Sequence, residues 1–149
     1  MKISTKGKYG LKAIVDIAVN MENEKCVSIR EIAERQGLSE NYLEQIISSL
    51  RKARIVGSIR GAGGGYFLAK SSEQITVGEV LRVLEGALAP VECVTDPSSC
   101  GDADCDSCTT KGVWMALYER INEVVDSISI ADLARDVRSE RLTALLDKP

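Results

Sequence analysis

The chain has 149 residues, of which 44% are hydrophobic and 28% charged, so it can bury one core and keep a charged surface. It contains no histidine, which excludes a histidine base, a histidine-based catalytic triad and imidazole metal ligands. No apolar run approaches the roughly 18 residues of a membrane helix, and residues 1–10 contain no apolar segment. We therefore expect a cytoplasmic protein that has no membrane partner and is not an enzyme.

Charge divides the chain into two unequal parts. Residues 1–70 carry 12 Lys and Arg against 7 Asp and Glu, a net charge of +5, whereas residues 71–149 carry 7 against 15, a net charge of −8. A basic part joined to an acidic part indicates a nucleic-acid-binding module fused to something else, although uneven scatter of surface charge is the alternative. The chain shows no internal repeat and no low-complexity tract.

The first part carries the pattern of a helix-turn-helix. Apolar residues recur at helical spacing over residues 9–21 and predict an amphipathic helix. The segment from Ser28 to Glu31 has the form of a capping box and predicts a short second helix, which Gly37 would end in a left-handed conformation. Ser39 would cap a third helix of about 12 residues. The buried side of that helix is predicted to consist of Leu43, Ile46, Ile47 and Leu50.

The opposite side of the third helix is predicted to carry Asn41, Gln45, Ser48 and Lys52. Three of these four are neutral hydrogen-bonding residues, whereas a helix that only needs solubility more often has Glu and Lys there. Asn and Gln amides can bond bidentately to adenine in the major groove, so the pattern favours DNA recognition. A plain solvated face is the alternative.

A glycine-rich turn follows the third helix. The β-prone residues 55–60 and 66–69 flank Gly61–Gly65, which predicts a β-hairpin. The glycines do not form a P-loop, because neither a Gly-Lys-Ser/Thr ending nor a helix start follows them. A hairpin directly after a helix-turn-helix is a wing, and Arg60 at its turn would then enter a minor groove. A solvent-exposed turn with an incidental arginine is the alternative.

The second part is also predicted to be helical, so the fold class is mainly α with a small β-hairpin wing. Thr76 to Glu79 has the form of a second capping box, and Gly86 would end the helix that it begins. A helix of about 16 residues is predicted after a loop over about residues 89–110. Its apolar stripe fits either core packing or a subunit interface. The stripe consists of Val113, Leu117, Ile121, Val124, Val125 and Ile128, with Trp114 and Tyr118 beside it.

Four of the five cysteines lie within 16 residues, at Cys93, Cys100, Cys105 and Cys108. The spacing of the last three repeats the three-ligand core of plant-type ferredoxins, and Cys93 could supply a fourth thiolate from the N-terminal side. Zinc is one alternative, although only Cys105 and Cys108 form a close pair, and redox or disulfide use is the other. Cys26 is predicted to be a small, partly buried apolar residue.

Four carboxylates lie among these cysteines. They do not complete a calcium loop, because Ser107 stands where an EF-hand needs glycine. We interpret them as solvated loop residues that place negative charge near the thiolates. They are Asp96, Asp102, Asp104 and Asp106.

Four segments resemble the Rrf-type bacterial transcription regulators: MKISTKGKYGL at the start, LSENYLEQI in the third helix, IRGAGGGY in the wing and VLEGALAPVEC before the loop. Within that family the chain is most similar to the iron–sulfur cluster regulators, over nearly all of residues 1–135. Members are homodimeric winged helix-turn-helix proteins that bind double-stranded operator DNA. The resemblance implies a DNA-binding domain over 1–70, dimerisation helices over 71–138 that include a long C-terminal helix, and a tail over 139–149.

The resemblance also implies a cofactor, a function and site residues. Cys93, Cys100, Cys105 and Cys108 would hold a 2Fe–2S cluster, and Cys108 stands where the best-known cluster regulators have histidine. The expected function is to sense cluster status and to control cluster-assembly genes. The residues expected to contact DNA are Ser39, Asn41, Tyr42, Gln45, Ser48, Arg51 and Lys52 in the third helix and Arg60 and Gly61 in the wing.

Two other functions remain open at this point. One is an Rrf-type repressor of cysteine metabolism or of the nitric-oxide response, containing zinc or no metal. The other is a small iron–sulfur electron-transfer protein, in which the basic part, the capped helix pair and the wing would have no role.

Overall fold

In the computed structural model, which describes residues 1–21, 25–101 and 104–139, six helices accompany one two-stranded sheet. The predicted fold class, mainly α with a small β-hairpin, is confirmed. None of the described helices is both long and apolar enough to cross a membrane. The elements are α1 (Thr5–Asn20), α2 (Ile29–Gln36), α3 (Glu40–Lys52), β1 (Val56–Ile59), β2 (Gly65–Leu68), α4 (Val77–Glu85), α5 (Lys111–Ser127) and α6 (Ile130–Ser139).

Local hydrogen bonds set the limits of the first three helices. Ser4 Oγ accepts a backbone N–H of the first turn, so α1 begins at residue 5 rather than at residue 9. The capping box is confirmed, because Ser28 Oγ accepts from Glu31 N–H while the Glu31 carboxylate accepts from Ser28 N–H. Gly37 ends α2 in the left-handed conformation with a φ of 65°, and Ser39 caps α3, both as predicted.

The predicted hairpin is present, and it also pairs with the segment between α1 and α2. Strands β1 and β2 pair antiparallel along their whole length. Tyr66 in β2 also forms a bridge to Val27 in the segment between α1 and α2, with two backbone hydrogen bonds of 2.8 Å. The hairpin is therefore held to the helix-turn-helix by backbone bonds as well as by chain connectivity.

One hydrophobic core joins five of the helices and both strands, with α1 contributing Ile14 and Ile17, neither of which has exposed surface. Helix α4 adds Val80 and Leu84, and α6 adds Ile130. The predicted inward face of α3 is confirmed. Its members Leu43, Ile46, Ile47 and Leu50 have no exposed surface.

The second predicted capping box is only half formed. Thr76 Oγ1 accepts from Glu79 N–H and begins α4, but the Glu79 carboxylate accepts a hydrogen bond from Lys70 Nζ. A charge-assisted bond to an ammonium is stronger than one to a backbone amide, which explains the difference. Gly86 ends α4 as predicted.

Helix α5 partly buries one edge of its predicted apolar stripe. Ile121, Val125 and Ile128 pack against a small cluster on α4, so core packing accounts for these three. The rest of the stripe faces solvent. Its exposed members, which we call the α5 stripe, are Val113, Leu117 and Val124, with 57%, 43% and 57% of their surface accessible.

An ion pair holds α5 against α4. The two terminal nitrogens of Arg82 donate to the two carboxylate oxygens of Asp126 at 2.9 and 2.7 Å, and one of them also donates to Asn122 Oδ1. The guanidinium lowers the pKa of the Asp126 carboxyl, and the carboxylate raises the pKa of Arg82. Because the carboxyl pKa is depressed, the pair stabilises the fold at neutral pH and loses that effect as the pH falls through the lowered value.

The hydrophobic pattern of the sequence does not show that α5 ends at Ser127 and that a separate helix, α6, follows it. Ser129 and Asp132 begin it, because Ser129 Oγ accepts from Asp132 N–H and the Asp132 carboxylate accepts from Ser129 N–H. This Ser-x-x-Asp pattern is the sequence feature that could have identified the helix. Helix α6 turns back on α1 and buries Ala134. The predicted tail lies outside the described residues from residue 140 onward.

A buried carboxylate fixes the position of α2. Asp16 in α1 is the polar residue buried among the described core residues, with 7% of its surface exposed. Arg35 at the end of α2 donates to both of its oxygens, with Nε–Oδ2 and Nη2–Oδ1 distances of 2.9 and 2.7 Å. Gln36 Nε2 donates to the same carboxylate at 3.0 Å. These bonds set the angle at which α2 and the following turn leave α1.

We predict that Arg35→Ala lowers the free energy of unfolding by about 3 kcal/mol, because it leaves the buried Asp16 carboxylate without its cation. Urea unfolding followed by circular dichroism measures the change. The matched control is Arg30→Ala, which removes an exposed ion pair with Glu34 one turn earlier on α2 and should cost under about 1 kcal/mol. Equal losses in the two variants would contradict the role of Asp16.

Candidate DNA interface and candidate metal centre

The outward side of α3 is open to solvent along its length. We call it the recognition face, and its predicted exposure is confirmed, whereas its role in contacting DNA stays a prediction. Its polar surface begins at the N-cap of the helix, where side chains best reach base edges. The recognition face consists of Ser39, Asn41, Gln45, Ser48, Arg51 and Lys52.

Tyr42 lies at the edge of the recognition face and is half-buried. Its ring meets the ring of Tyr9 edge-on, with centroids 6.4 Å apart, and Lys12 Nζ lies 5.5 Å from the centroid of Tyr9. Lys6 Nζ donates to Ser49 Oγ on the same side of α3 at 3.4 Å. Helix α1 therefore supports the recognition face with packed aromatic rings and supplies lysines next to it.

The turn of the hairpin presents Arg60 and Gly61, both exposed. Gly61 and Gly63 have φ angles of 99° and 77°, which L side chains rarely adopt. Gly65 is needed for a different reason, because a Cβ there would overlap the backbone carbonyl of Val27. The glycine-rich sequence thus makes a tight turn and lets the hairpin approach the segment before α2.

Cys26 lies under this turn, with 8% of its surface exposed, which confirms its predicted burial. Its thiol contacts Gly63 O at an Sγ–O distance of 3.3 Å. The residue thus contributes a weak hydrogen bond to the base of the wing and is remote in sequence from the other cysteines.

The described arginines away from the recognition face differ from the basic residues at the end of α3 and in the wing. Arg30, Arg35, Lys70, Arg82, Lys111, Arg120 and Arg135 each form an ion pair. By contrast, four cations at the end of α3 and in the wing have no carboxylate within ion-pair distance among the described residues. Unpaired cations on one surface favour contact with a phosphate backbone. The four are Arg51, Lys52, Arg54 and Arg60.

Three of the four clustered cysteines, Cys93, Cys105 and Cys108, line one cavity of about 230 Å³ between the loop and the start of α5. All four are half-buried, and none forms a disulfide. The cavity has an apolar wall and one ammonium. The other lining residues are Val94, Pro97, Lys111, Trp114 and Met115.

Cys100 is not among the lining residues of this cavity, but it is near enough to Cys105 to affect its thiol. Interaction with Cys100, burial and the proximity of Cys93 raise the pKa of the Cys105 thiol to about 11, while Lys111 acts in the opposite direction. Cys105 is therefore a protonated thiol at neutral pH in the metal-free chain. A bound cation would have to displace that proton, as thiolate ligation requires.

The loop is more ordered than its composition predicts, since it contains three 3₁₀ turns. The second and third have the same sequence form, Asp-x-x-Ser-Cys, at residues 96–100 and 104–108. In each, the Asp carboxylate accepts the N–H two residues later at 3.0 Å and the Ser hydroxyl donates to the Asp carbonyl. The turns are Glu92–Val94, Pro97–Ser99 and Cys105–Ser107.

These matched turns give Cys100 and Cys108 nearly the same backbone conformation, with φ and ψ of −66° and 128° for the first and −64° and 120° for the second. Asp96 and Asp104 are exposed, as predicted for solvated loop residues, and each also shapes a turn through its carboxylate. Asp106 instead pairs with Lys111. Asp102 lies outside the described residues.

The donor set fits a thiolate-bound metal, although the thiols are not assembled around one. Among the described residues, no three potential ligand side chains come close enough to hold a metal ion. Four thiols with no imidazole suit an iron–sulfur cluster or zinc by their softness. Ligation by all four would require their side chains to move together, three of them from positions that line one cavity.

Comparison with known proteins gives the same architecture. The chain is 42% identical to the HTH-type transcriptional regulator CymR of Bacillus subtilis (strain 168) over 134 residues, which cover 90% of each chain. It is 36% identical to the HTH-type transcriptional regulator IscR of Sodalis glossinidius, covering 99% of this chain and 86% of the relative. The solved structure of T. potens IscR superposes with a TM-score of 0.75 at 45% identity, covering 96% of this chain and 93% of that one.

The family model named Rrf2, described as an iron-dependent transcriptional regulator, matches residues 3–136. The relatives are named as transcriptional regulators, and the chain is accordingly a regulator and not an enzyme. These matches confirm the resemblance seen in the sequence motifs and the winged helix-turn-helix fold. The chain belongs to the Rrf2 family of transcription regulators.

Proposed function

We propose that this chain is a homodimeric, cytoplasmic transcription regulator that senses iron–sulfur cluster status through a 2Fe–2S cluster and controls cluster-assembly genes. The observation that carries the proposal is the arrangement of the loop, in which three cysteines line one cavity and the fourth lies eight residues or fewer from each of them along the chain. Cys93, Cys100, Cys105 and Cys108 would be the ligands. When bound, the cluster would supply iron–thiolate bonds that draw the four side chains together.

DNA binding is assigned to the recognition face and the wing. Asn41 and Gln45 present amides from the N-terminal half of α3, which suit base edges in a major groove. Arg60 and Gly61 at the hairpin turn suit the adjacent minor groove, where a narrow groove attracts an arginine. Arg51 and Lys52 would contact phosphates and so fix the register of the helix.

Dimerisation is assigned to the α5 stripe. Val113, Leu117 and Val124 fall at i, i+4 and i+11, so they form one row along the helix. A row of exposed aliphatic side chains next to a packed face is typical of a helix that pairs with a second copy. Two copies would also supply two recognition faces for the two halves of an operator.

Direct packing connects α4, the helix that precedes the loop, to α1 and α3. Leu84 near the end of α4 packs so closely on α1 that a Cβ at Gly10 would overlap its methyl group, and Ile46 of α3 borders the same position. Glu85 accepts hydrogen bonds from the backbone and side chain of Ser4 at the start of α1. A displacement of α4 by ligand movement in the loop would therefore press on both α1 and α3. Such a two-state element is what the proposed sensing requires.

A second candidate function is favoured by the similarity to CymR, whose solved B. subtilis structure is titled as that of the global cysteine regulator. That structure superposes with a TM-score of 0.76 at 40% identity, as well as T. potens IscR does. In this alternative the chain is a repressor of cysteine metabolism with zinc or no metal, and the same recognition face binds its operator. The metal content of the native protein separates the two candidates.

We predict that Gln45→Ala relaxes base specificity at one operator position, at a cost of about 1–3 kcal/mol in discrimination. The reason is the loss of an amide that can bond to a base edge. The measurement is fluorescence anisotropy with a duplex that the native protein selects from a random pool and with its single-base variants. Gln74→Ala, in an exposed segment after the wing, is the control and should leave discrimination unchanged. Unaltered discrimination in Gln45→Ala would remove this residue from the interface.

Protein purified without oxygen is expected to contain iron and inorganic sulfide, with a resonance Raman spectrum of an all-thiolate 2Fe–2S cluster. We predict that Cys108→Ala loses the cluster but remains a folded dimer that binds some DNA, because its loop lies outside the main core. Operator affinity should differ between the loaded and the metal-free protein. Colourless protein with stoichiometric zinc, or equal affinity in both states, would contradict the proposal.

The turn before Cys108 provides a second test, which measures how quickly the cluster is lost. Asp104→Ala removes the acceptor that shapes the turn before Cys108, so a chelator should extract the cluster about ten times faster. Asp104→Asn keeps an acceptor oxygen and should restore the native rate. Asp106→Ala removes a neighbouring carboxylate that is not used in the turn and serves as the charge control.

Leu117→Lys is predicted to weaken self-association about a hundredfold, since it places a charge in the middle of the α5 stripe. Sedimentation velocity measures the dissociation constant. The control Glu119→Lys changes an exposed residue on the other side of α5 and should leave the dimer intact. A monomeric native protein would contradict the assignment of the stripe.

A further inference from the structure

Arg54 is the one non-glycine residue of the described chain with a positive φ, at 60°. It lies directly after α3, where its N–H donates to Arg51 O and the N–H of Ile55 donates to Leu50 O at 3.0 Å. This is the left-handed position that ends a helix and that favours glycine, because a Cβ there is crowded by the backbone. Helix α2 ends in the same conformation with Gly37. The chain therefore accepts strain at the end of α3 that it avoids at the end of α2.

No contact within the fold explains why an arginine occupies this position. Arg54 is exposed, and no carboxylate among the described residues pairs with it. Of the eight arginines whose side chains are described, Arg30, Arg35, Arg82, Arg120 and Arg135 form ion pairs. The other three are Arg51, Arg54 and Arg60, which lie within ten residues of one another.

The position of Arg54 between two DNA-contacting elements indicates its ligand. It lies at the junction between the end of α3 and the start of β1. If α3 occupies a major groove and the wing the adjacent minor groove, the chain between them must pass over the phosphate strand that separates the two grooves. An arginine at this junction would face non-bridging phosphate oxygens, which it binds well and without regard to sequence.

We propose that Arg54 contacts the DNA phosphate backbone and that the strained conformation is retained for this contact. The proposal rests on the proposed DNA-binding function. It makes fold stability and DNA affinity change in opposite directions at one residue, as happens where a functional contact is kept at the expense of stability.

The test compares three variants of the full-length protein. Arg54→Gly relieves the strain and removes the charge, so its unfolding midpoint in urea should rise while affinity for DNA falls about tenfold. Arg54→Ala removes the charge but keeps the strain, so affinity should fall equally with little change in the midpoint. Arg54→Lys keeps a charge at the same place and should retain most of the affinity. Arg135→Ala, which removes a paired cation from α6, is the control and should bind as the native protein does.

The probes are the duplex selected by the native protein and a scrambled duplex of the same composition. Because a phosphate contact carries no sequence information, both affinities should fall by the same factor. The slope of log affinity against log salt should become shallower by about 0.9 for each protomer. Gln45→Ala, by contrast, should affect the selected duplex alone.

Native affinity and salt slope in both Arg54→Ala and Arg54→Gly would overturn the proposal while leaving the DNA-binding function intact. A loss in Arg54→Gly alone would overturn it as well, since the backbone and not the charge would then be responsible. Native protein without affinity for either duplex would overturn the proposed function together with this inference.

Discussion

The close approach of α4 to α1 is the constraint on which the arrangement of the molecule depends. Gly7 and Gly10 face α4, and a Cβ at either position would overlap Glu85 or Leu84. This contact brings the acidic second part of the chain onto the basic first part, so that residues from α4 and α6 share one core with the helix-turn-helix. Binding of DNA and ligation in the loop would therefore act on a single packed unit.

Features decided by neighbouring residues could be predicted from the sequence. The capping box at Ser28 and the end of α2 at Gly37 depend on hydrogen bonds and sterics within a few residues, and both are present. Features decided by distant partners could not. Glu79 turns away from its predicted cap because Lys70 approaches it, and α5 divides its apolar stripe because α4 covers only one edge.

The cysteine site shows the same division between local and distant causes. The number and spacing of the thiols predict the donors, because ligand type follows from residue type. The cavity that Cys93, Cys105 and Cys108 share with Trp114 depends on how the loop lies against α5, which spacing does not encode. The repeated turns were present in the sequence as Asp-x-x-Ser-Cys, but a five-residue repeat is too short to be noticed without its hydrogen bonds.

The two repeated turns would also affect how quickly the loop binds and rebinds a metal. Each turn is closed by bonds within five residues, so the backbone that presents Cys100 and Cys108 has its shape while these cysteines are free. A loop without these turns would lose conformational entropy when it bound a metal. Here part of that entropy is already lost during folding. Uptake would then be governed by the arrival of the incoming metal, and refilling after depletion would need no renewed folding of the two turns.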